Sequence, residues 1–241
     1  MSPSTKQEND MKINKTLITL AVTLQLSFNV AATQHEIDKI EQAAGVLNIA
    51  ELQAIAANVT GYDQALAYYR ISLSQNLMGQ TALAIKAIDK AITLLESLNE
   101  TSSNDVEVKT LLAQVYGYKI ALEPVKGMYL GAKSGAIIAE AKALAPNNPR
   151  VQLVIGISKL NTPEMFGGSN DAAFDAFNKA IMAYDNDEYS NYHWGEAETY
   201  TWRGLVHLQK GDVNKAKEDW QSALHINPDY GWAKMLLAQN Q

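Results

Sequence analysis

From Gln34 onward the chain repeats Ala and Leu at intervals of three and four residues and lacks the alternation of a β-strand. This spacing places apolar side chains on one face of a helix, so it predicts amphipathic helices packed on one another. Proline falls between the helical stretches, at Pro146, Pro149 and Pro228, where it ends one helix and helps to start the next. The 241 residues, 47% of them hydrophobic, suffice for one all-α domain with a sizeable core or for a short repeat array.

A 34-residue unit is recognisable between Ala197 and Tyr230. It carries small residues at places 8, 20 and 27, a large aromatic residue at place 24 and proline at place 32: Gly204, Ala216, Ala223, Trp220 and Pro228. The unit resembles the tetratricopeptide repeat, whose small residues let two antiparallel helices approach closely. Two places depart from the family pattern, because Tyr200 stands where Trp is preferred and Arg203 where Leu is preferred.

Further units extend the resemblance over residues 65–241. A second regular unit runs from Ala65 to Leu98, and two interrupted units begin near Val106 and at Pro149. The first interrupted unit holds about nine extra residues near 122–130, and the second about five near 161–170. Residues 231–241 are predicted to form a capping helix, and residues 33–64 a helical N-terminal segment. The resemblance implies an all-α fold, a right-handed α-solenoid of antiparallel helix pairs with about four repeats.

Residues 1–32 have the pattern of a secretory signal peptide. A basic stretch around Lys12 and Lys15 precedes a mostly apolar run that ends in Val30-Ala31-Ala32. We expect cleavage after Ala32, with Met11 as an alternative start, and we therefore expect a periplasmic or secreted protein. The apolar run is short for a membrane span, although an uncleaved anchor stays open as an alternative. The chain has no Cys, which excludes a lipid-anchored lipoprotein.

The resemblance also implies where a partner would bind, because the first helix of each repeat lines the concave face of such solenoids. Transferred to this chain, the inward places include Tyr69, Asn76, Gln114, Tyr118, Arg150, Glu198 and Thr201. This mixture of aromatic, amide and single charged residues suits an extended peptide or a small polar ligand. The net charge of −6 and the absence of a basic cluster argue against a nucleic-acid partner.

Two connecting segments have individual features. The loop around Pro163 and Gly167-Gly168 contains Met165 and Phe166, which either pack into the core or present an apolar contact to a partner. In the second segment Asp185, Asp187, Asn191 and Glu196 have the spacing of a calcium-binding loop. However, Tyr189 and Ser190 occupy the places of a ligand and of the turn glycine, which favours a solvated linker over a calcium site.

The sequence therefore predicts an exported, non-catalytic binding or scaffold protein that engages a protein or peptide partner through its concave face. It lacks a Gly-x-Ser-x-Gly nucleophile motif and any cysteine, and we expect no enzyme activity and no cofactor or metal. The alternative is a small-ligand-binding accessory of a TRAP-type solute transport system. An enclosed pocket behind the two insertions would favour that alternative, and an open groove with exposed aromatics would favour the scaffold. Self-association is a further expectation.

Overall fold

The computed structural model describes residue 1, residues 33–189 and residues 191–240. The predicted signal peptide, its cleavage after Ala32 and the alternative start at Met11 lie outside the described residues. Within that part of the chain the structure has helices and no strand, as predicted. The α-helices are α1 (Gln34–Gly45), α2 (Ile49–Asn58), α3 (Gly61–Leu77), α4 (Thr81–Thr101), α5 (Val106–Leu122), α6 (Gly127–Leu144), α7 (Pro149–Asn161), α8 (Asn170–Tyr184), α9 (Glu196–Gln209), α10 (Val213–Ile226) and α11 (Gly231–Gln239).

Several helices begin at a residue whose side chain caps the exposed backbone amides of the first turn. The Asp105 carboxylate accepts hydrogen bonds from the backbone N–H groups of Glu107 and Val108, and Ser169 and Asp212 cap α8 and α10 in the same way. At α7 the cap is Asn148, and Pro149 follows at the first helical position, where its missing N–H costs nothing. Local sequence thus fixes where these helices begin.

The helices form four antiparallel pairs, α3–α4, α5–α6, α7–α8 and α9–α10, and α11 packs on the last pair. We call the first helix of each pair helix A and the second helix B. The pairs approach most closely at place 8 of helix A: Gly156 lies against the Phe177 ring and Gly204 against the Trp220 indole. A Cβ atom at Gly204 would lie 2.5 Å from the indole nitrogen, which explains the small residue there. The fold is the predicted right-handed α-solenoid.

The two interruptions differ in structure. Residues 122–130 form no long loop, since a short 3-10 turn over Pro124–Lys126 joins two helices of 17 and 18 residues. The extra residues lengthen α5 and α6, because Leu130, Ser134, Ile138 and Ala141 continue the helical burial pattern. The second interruption is a true loop between Asn161 and Asn170, with a 3-10 turn over Glu164–Phe166.

The N-terminal segment is helical and closes one side of the array. α1 and α2 pack on α3, and α1 also reaches the linker between α8 and α9. There the Gln34 side-chain amide exchanges two hydrogen bonds with the backbone of His193, at 2.9 and 2.7 Å. At the other end of α1, Gly45 lies against Asn227 and Gly231. The first and last parts of the described chain therefore contact each other.

Candidate partner-binding surface

The inner faces of the A helices meet in a buried polar cluster. The side-chain amide of Gln114 in α5 donates to the Tyr69 hydroxyl of α3 at 2.7 Å. Arg70, also in α3, pairs with Glu198 of α9 at 2.9 Å and with Glu41 of α1 at 2.7 Å. The structure thus brings Tyr69, Gln114 and Glu198, three of the residues that the resemblance assigned to the inner face, together in one place. Their polar groups bind one another across the array, however, and all three side chains are buried.

A second buried cluster surrounds Arg150, another of the predicted concave residues. Its guanidinium pairs with Glu107 at 2.8 Å and with Asp187 at 2.6 Å, and the side chains of Arg150 and Asp187 are fully buried. Burial lowers the pKa of Arg150, but the neighbouring Glu107 and Asp187 more than offset this and hold that pKa above its ordinary value. Burial raises the pKa of Glu107 despite the adjacent guanidinium. The linker that supplies Asp187 thus covers the end of the inner face.

This pairing also bears on the calcium alternative. Both carboxylate oxygens of Asp187 contact Arg150, and one also accepts a hydrogen bond from the backbone N–H of Tyr189. Within residues 33–189 and 191–240 no group of three or more His, Asp or Glu side chains is placed to hold a metal ion. The acidic linker serves to neutralise a buried arginine.

The remaining predicted concave residues are placed differently from one another. Thr201 is fully buried, and its hydroxyl donates to the backbone carbonyl of Ala197 in its own helix. Asn76 and Tyr118 are half-buried near the C-terminal ends of α3 and α5. Burial raises the pKa of Tyr118 to about 12. Asn76 and Tyr118 are thus the members of this set that solvent reaches.

The inner side of the array is therefore not the open groove that would have favoured the scaffold hypothesis, and binding through the concave face stays a prediction. Contacts between α3, α5 and α9 fill the inner side, and α1 and the linker of residues 185–195 cover it. Tyr69, Gln114, Arg150, Glu198 and Thr201 form part of the core. That any of them contacts a partner stays a prediction, and it would require the array to open.

The loop of Met165 and Phe166 has the opposite character, since both side chains are exposed, by 82% and 73%. The alternative in which they pack into the core is wrong. Two hydrogen bonds fix the loop to Lys159 at the end of α7. The Lys159 ammonium donates to the Gly167 carbonyl at 2.8 Å, and the Ser169 N–H donates to the Lys159 carbonyl at 2.9 Å. Gly168 lies so close to the Thr162 carbonyl that no Cβ atom would fit, and Gly167 has a φ of +91°. The anchored turn leaves the Met165 and Phe166 side chains in solvent.

Other turns from helix A to helix B share this feature. Because successive helices are antiparallel, all of these turns lie at one edge of the array. Seven of the exposed apolar residues at or near the first three of these turns are Leu77, Met78, Val125, Met128, Tyr129, Met165 and Phe166, which we call the apolar edge. The sequence indicated Met165 and Phe166 as candidate contact residues, but not the other five. The last repeat has Gly211-Asp212 in its turn, whereas the corresponding turns of the earlier repeats contain apolar residues. This difference in the sequence could have indicated the other five residues.

The tetratricopeptide-repeat family profile matches two parts of the chain, residues 197–230 and residues 65–94. These are α9–α10 and the first pair, α3–α4, so the sequence match and the helix pairs coincide. The chain contains two tetratricopeptide repeats. No curated protein sequence matches it.

Solved structures of the same repeat fold resemble this protein. A thermophilic tetratricopeptide-repeat protein of Thermus thermophilus is 15% identical with a TM-score of 0.50, over 86% of this chain and 97% of that one. The HusA haemophore from Porphyromonas gingivalis is 20% identical with a TM-score of 0.54, over 73% of this chain and 91% of that one. At these identities the likeness shows the fold alone.

Two concavities in the described part of the chain have volumes of about 400 and 330 Å³, and residues of the two insertions line neither of them. The first lies between α3 and α4 around Tyr68 and Lys90, and the second around Pro146 and Met182. None of the helices in residues 33–189 and 191–240 is long and apolar enough to cross a membrane.

Proposed function

We propose that this tetratricopeptide-repeat protein is an exported, non-catalytic scaffold that binds a protein or peptide partner through the apolar edge. The observation that carries the proposal is the exposure of Met128, Met165 and Phe166 at the connections from helix A to helix B of successive repeats. Large exposed apolar side chains gathered on one side of a molecule are typical of a contact surface for another protein. Because the inner face is filled, the edge replaces the predicted groove as the binding surface.

The composition of the edge fits a protein partner. Methionine is flexible and polarizable, so Met78, Met128 and Met165 can adapt to an apolar surface of irregular shape. Asn76 and Tyr118 border the edge and supply polar groups at its rim, as in ordinary protein interfaces. Lys133 lies over the Tyr129 ring at 4.9 Å and restrains that side chain before binding. A preformed edge loses little conformational freedom when a partner docks.

Export is the part of the proposal that rests on sequence alone. The basic and then apolar pattern of residues 11–32, with Ala at 31 and 32, supports a signal peptide and a periplasmic or secreted location. Intact-mass measurement of the protein recovered from the periplasm of a Gram-negative host tests it. The expected mass is that of a chain beginning at Thr33, and recovery of the full-length chain in the cytoplasm would contradict export.

The small-ligand alternative has no support from the concavities. A pocket walled by the insertions near 122–130 and 161–170 would favour a transport accessory, but neither of the two best-formed concavities is lined by residues of these segments. The name of the HusA haemophore states a function of that protein, and the likeness to it concerns the fold. Titration with haemin is therefore included as a control, and we expect no saturable change in its absorbance.

Site-specific photo-crosslinking tests the proposed edge. A photoreactive phenylalanine analogue replaces Phe166 at the edge or, as a matched control, Met182, which is apolar, equally exposed at 73% and located at the opposite end of a B helix. In the native host, we expect one dominant adduct from position 166 and none from position 182. An adduct of twice the chain mass would identify a second copy as the partner. Equal labelling from both positions would contradict the proposal.

A further inference from the structure

The side chain of Asp63 is a buried carboxylate for which the described chain provides little compensation. It lies in the first turn of α3 and is 5% exposed. Its Oδ2 atom accepts one hydrogen bond, from the backbone nitrogen of Thr33 at 3.4 Å. Among residues 33–189 and 191–240 its Oδ1 atom has no hydrogen-bond partner. Buried ionised groups ordinarily have charged or multiple hydrogen-bonding partners, because losing water is costly for them.

The charged groups around Asp63 do not stabilise its ionised form. The pKa of Asp63 is raised to about 6, mainly by burial and in part by the nearby carboxylate of Glu36, while the hydrogen bond from Thr33 opposes the increase. Lys39 does not compensate, since its ammonium pairs with Glu36 at 3.0 Å. Tyr192 of the linker packs nearby and stays neutral, because burial raises its pKa to about 12. Within the described chain, the Asp63 carboxylate therefore lacks a cationic partner. A positive charge at the position of the Thr33 backbone nitrogen would provide one.

We infer that the missing cation is the α-ammonium group of Thr33, formed when the peptide bond between Ala32 and Thr33 is cleaved, and that Asp63 is its binding site in the mature protein. The inference rests on the proposed export and processing. A signal-peptide protease would hydrolyse the bond: water adds a hydroxyl to the Ala32 carbonyl carbon and a proton to the Thr33 nitrogen. The resulting amine takes a second proton from solvent at neutral pH. The chain between Thr33 and Asp63 need not move, because the nitrogen is already 3.4 Å from Oδ2.

An ammonium suits this place better than the amide does. It has three protons in place of one and can donate to both carboxylate oxygens of Asp63, including the unpartnered Oδ1. Thr33 is also the N-cap of α1, where the helix dipole disfavours a positive charge. The carboxylates of Glu36 and Asp63 on either side offset that effect. A chain that begins even one residue earlier would have an amide here and would carry its terminal charge away from Asp63.

The ion pair would connect processing to the closed fold. Thr33 begins α1, whose Gln34 and Glu41 hold the linker and Arg70 respectively. A charged link from Thr33 to α3 would fix the start of the helix that covers the inner face. Cleavage would thus stabilise the packing of α1 on α3.

The test compares Asp63→Asn in two forms of the same protein: the full-length chain made in the cytoplasm and the processed chain recovered from the periplasm. In the full-length chain the substitution removes a poorly compensated charge, so the urea midpoint should stay or rise. In the processed chain it removes an ion pair, and the unfolding equilibrium constant should increase about five-fold or more. Asp175→Asn, at an exposed carboxylate in α8, is the control and should change both forms equally little.

A change of the same sign and size for Asp63→Asn in both forms would overturn the inference. If the Asn variant does not fold, the wild-type processed chain still provides a test through the acetylation rate of its α-amino group as a function of pH. An ion-paired group should have a pKa above the ordinary value of about 8 and react slowly, and ordinary reactivity would overturn the inference. Intact mass separates the two proposals: a different N-terminus refutes the processing site, whereas the right N-terminus without these effects refutes only the ion pair.

Discussion

At the scale of single residues, ion pairs between buried arginine side chains and carboxylates connect distant parts of this protein. Arg70 and Arg150 each form ion pairs with two carboxylates that come from distant parts of the chain. The sequence indicated that Arg150 and Glu198 face inward, because the repeat fixes the face on which each residue lies. It could not indicate their partners, since Asp187 belongs to an irregular linker and Glu41 to a helix outside the repeats.

Replacing Arg150 should therefore destabilise the fold strongly. Arg150→Ala leaves Glu107 and Asp187 buried without their cation, and we expect a loss of about 3–5 kcal/mol in the free energy of unfolding. Lys210→Ala is the matched control, because it breaks an exposed pair with Asp171 and should cost about 0–1 kcal/mol. Urea unfolding followed by circular dichroism measures both. Equal losses for the two variants would contradict a structural role for the buried pair.

Asp63 should give the full-length, unprocessed chain a specific pH dependence. Its folded pKa of about 6 lies above the ordinary value of 3.8, so the folded state retains the proton longer than the unfolded state. The stability from this group is complete below pH 3.8 and is lost as the pH rises through about 6, by about 3 kcal/mol at most. The difference in unfolding free energy between wild type and Asp63→Asn, measured from pH 4 to 8, should fall by that amount. A flat or rising difference would show that Glu36, Tyr192 and the Thr33 amide do not leave the carboxylate undercompensated.

At the scale of helices, the sequence predicted the pairs well and their connections less well. Small residues at the helix crossings identified α9–α10 and α3–α4, because close packing admits few alternatives there. The extra residues near 122–130 were expected to interrupt the repeat but instead lengthen α5 and α6. Comparison with a repeat of fixed length treats any extra residues as an insertion, so it could not show that the helices themselves are longer. The burial pattern at Leu130, Ser134 and Ile138 was the better guide.

Two glycines in helices should respond in opposite directions to alanine. At Gly156 a Cβ atom would lie 2.4 Å from the Phe177 ring, so Gly156→Ala should destabilise the protein by about 1–3 kcal/mol. A Cβ atom added at Gly135 in α6 would contact no described atom within 4 Å apart from the nearby backbone of its own helix, so Gly135→Ala should stabilise the protein by about 0.5–1 kcal/mol. Thermal unfolding of the two variants compares them directly. A stable Gly156→Ala variant would contradict the close crossing of α7 and α8.

At the scale of the whole molecule, closure of the array decides which surface is available. The resemblance to tetratricopeptide repeats predicted the solenoid and the face on which Tyr69 and Gln114 lie. It did not predict that α3 and α9 would be joined through Arg70 and Glu198, which are 128 residues apart in the chain. That contact depends on the curvature accumulated over three repeats and on the covering helix α1, and neither is encoded in a single repeat.

Partner binding should accordingly depend on the edge. The double substitution of Met165→Ser and Phe166→Ser should abolish the crosslinked adduct or reduce it at least ten-fold, since apolar anchors carry most interface energy. Both side chains are exposed, so the free energy of unfolding should change by no more than about 0.5 kcal/mol. Met182→Ser at the opposite edge should change neither quantity. Undiminished binding by the double variant would show that the partner binds at a surface other than the apolar edge.

Hydroxyl-radical footprinting of the folded protein tests most directly whether the interior is closed and the edge open. The closed array predicts rapid modification of Met128, Met165 and Phe166, with Tyr69 and Trp194 protected until the protein unfolds in urea. Met182 should be modified as fast as Met165, which calibrates the rate expected for an exposed methionine. Modification of Tyr69 and Trp194 at rates near those of exposed residues would contradict closure and restore the concave groove as the binding surface.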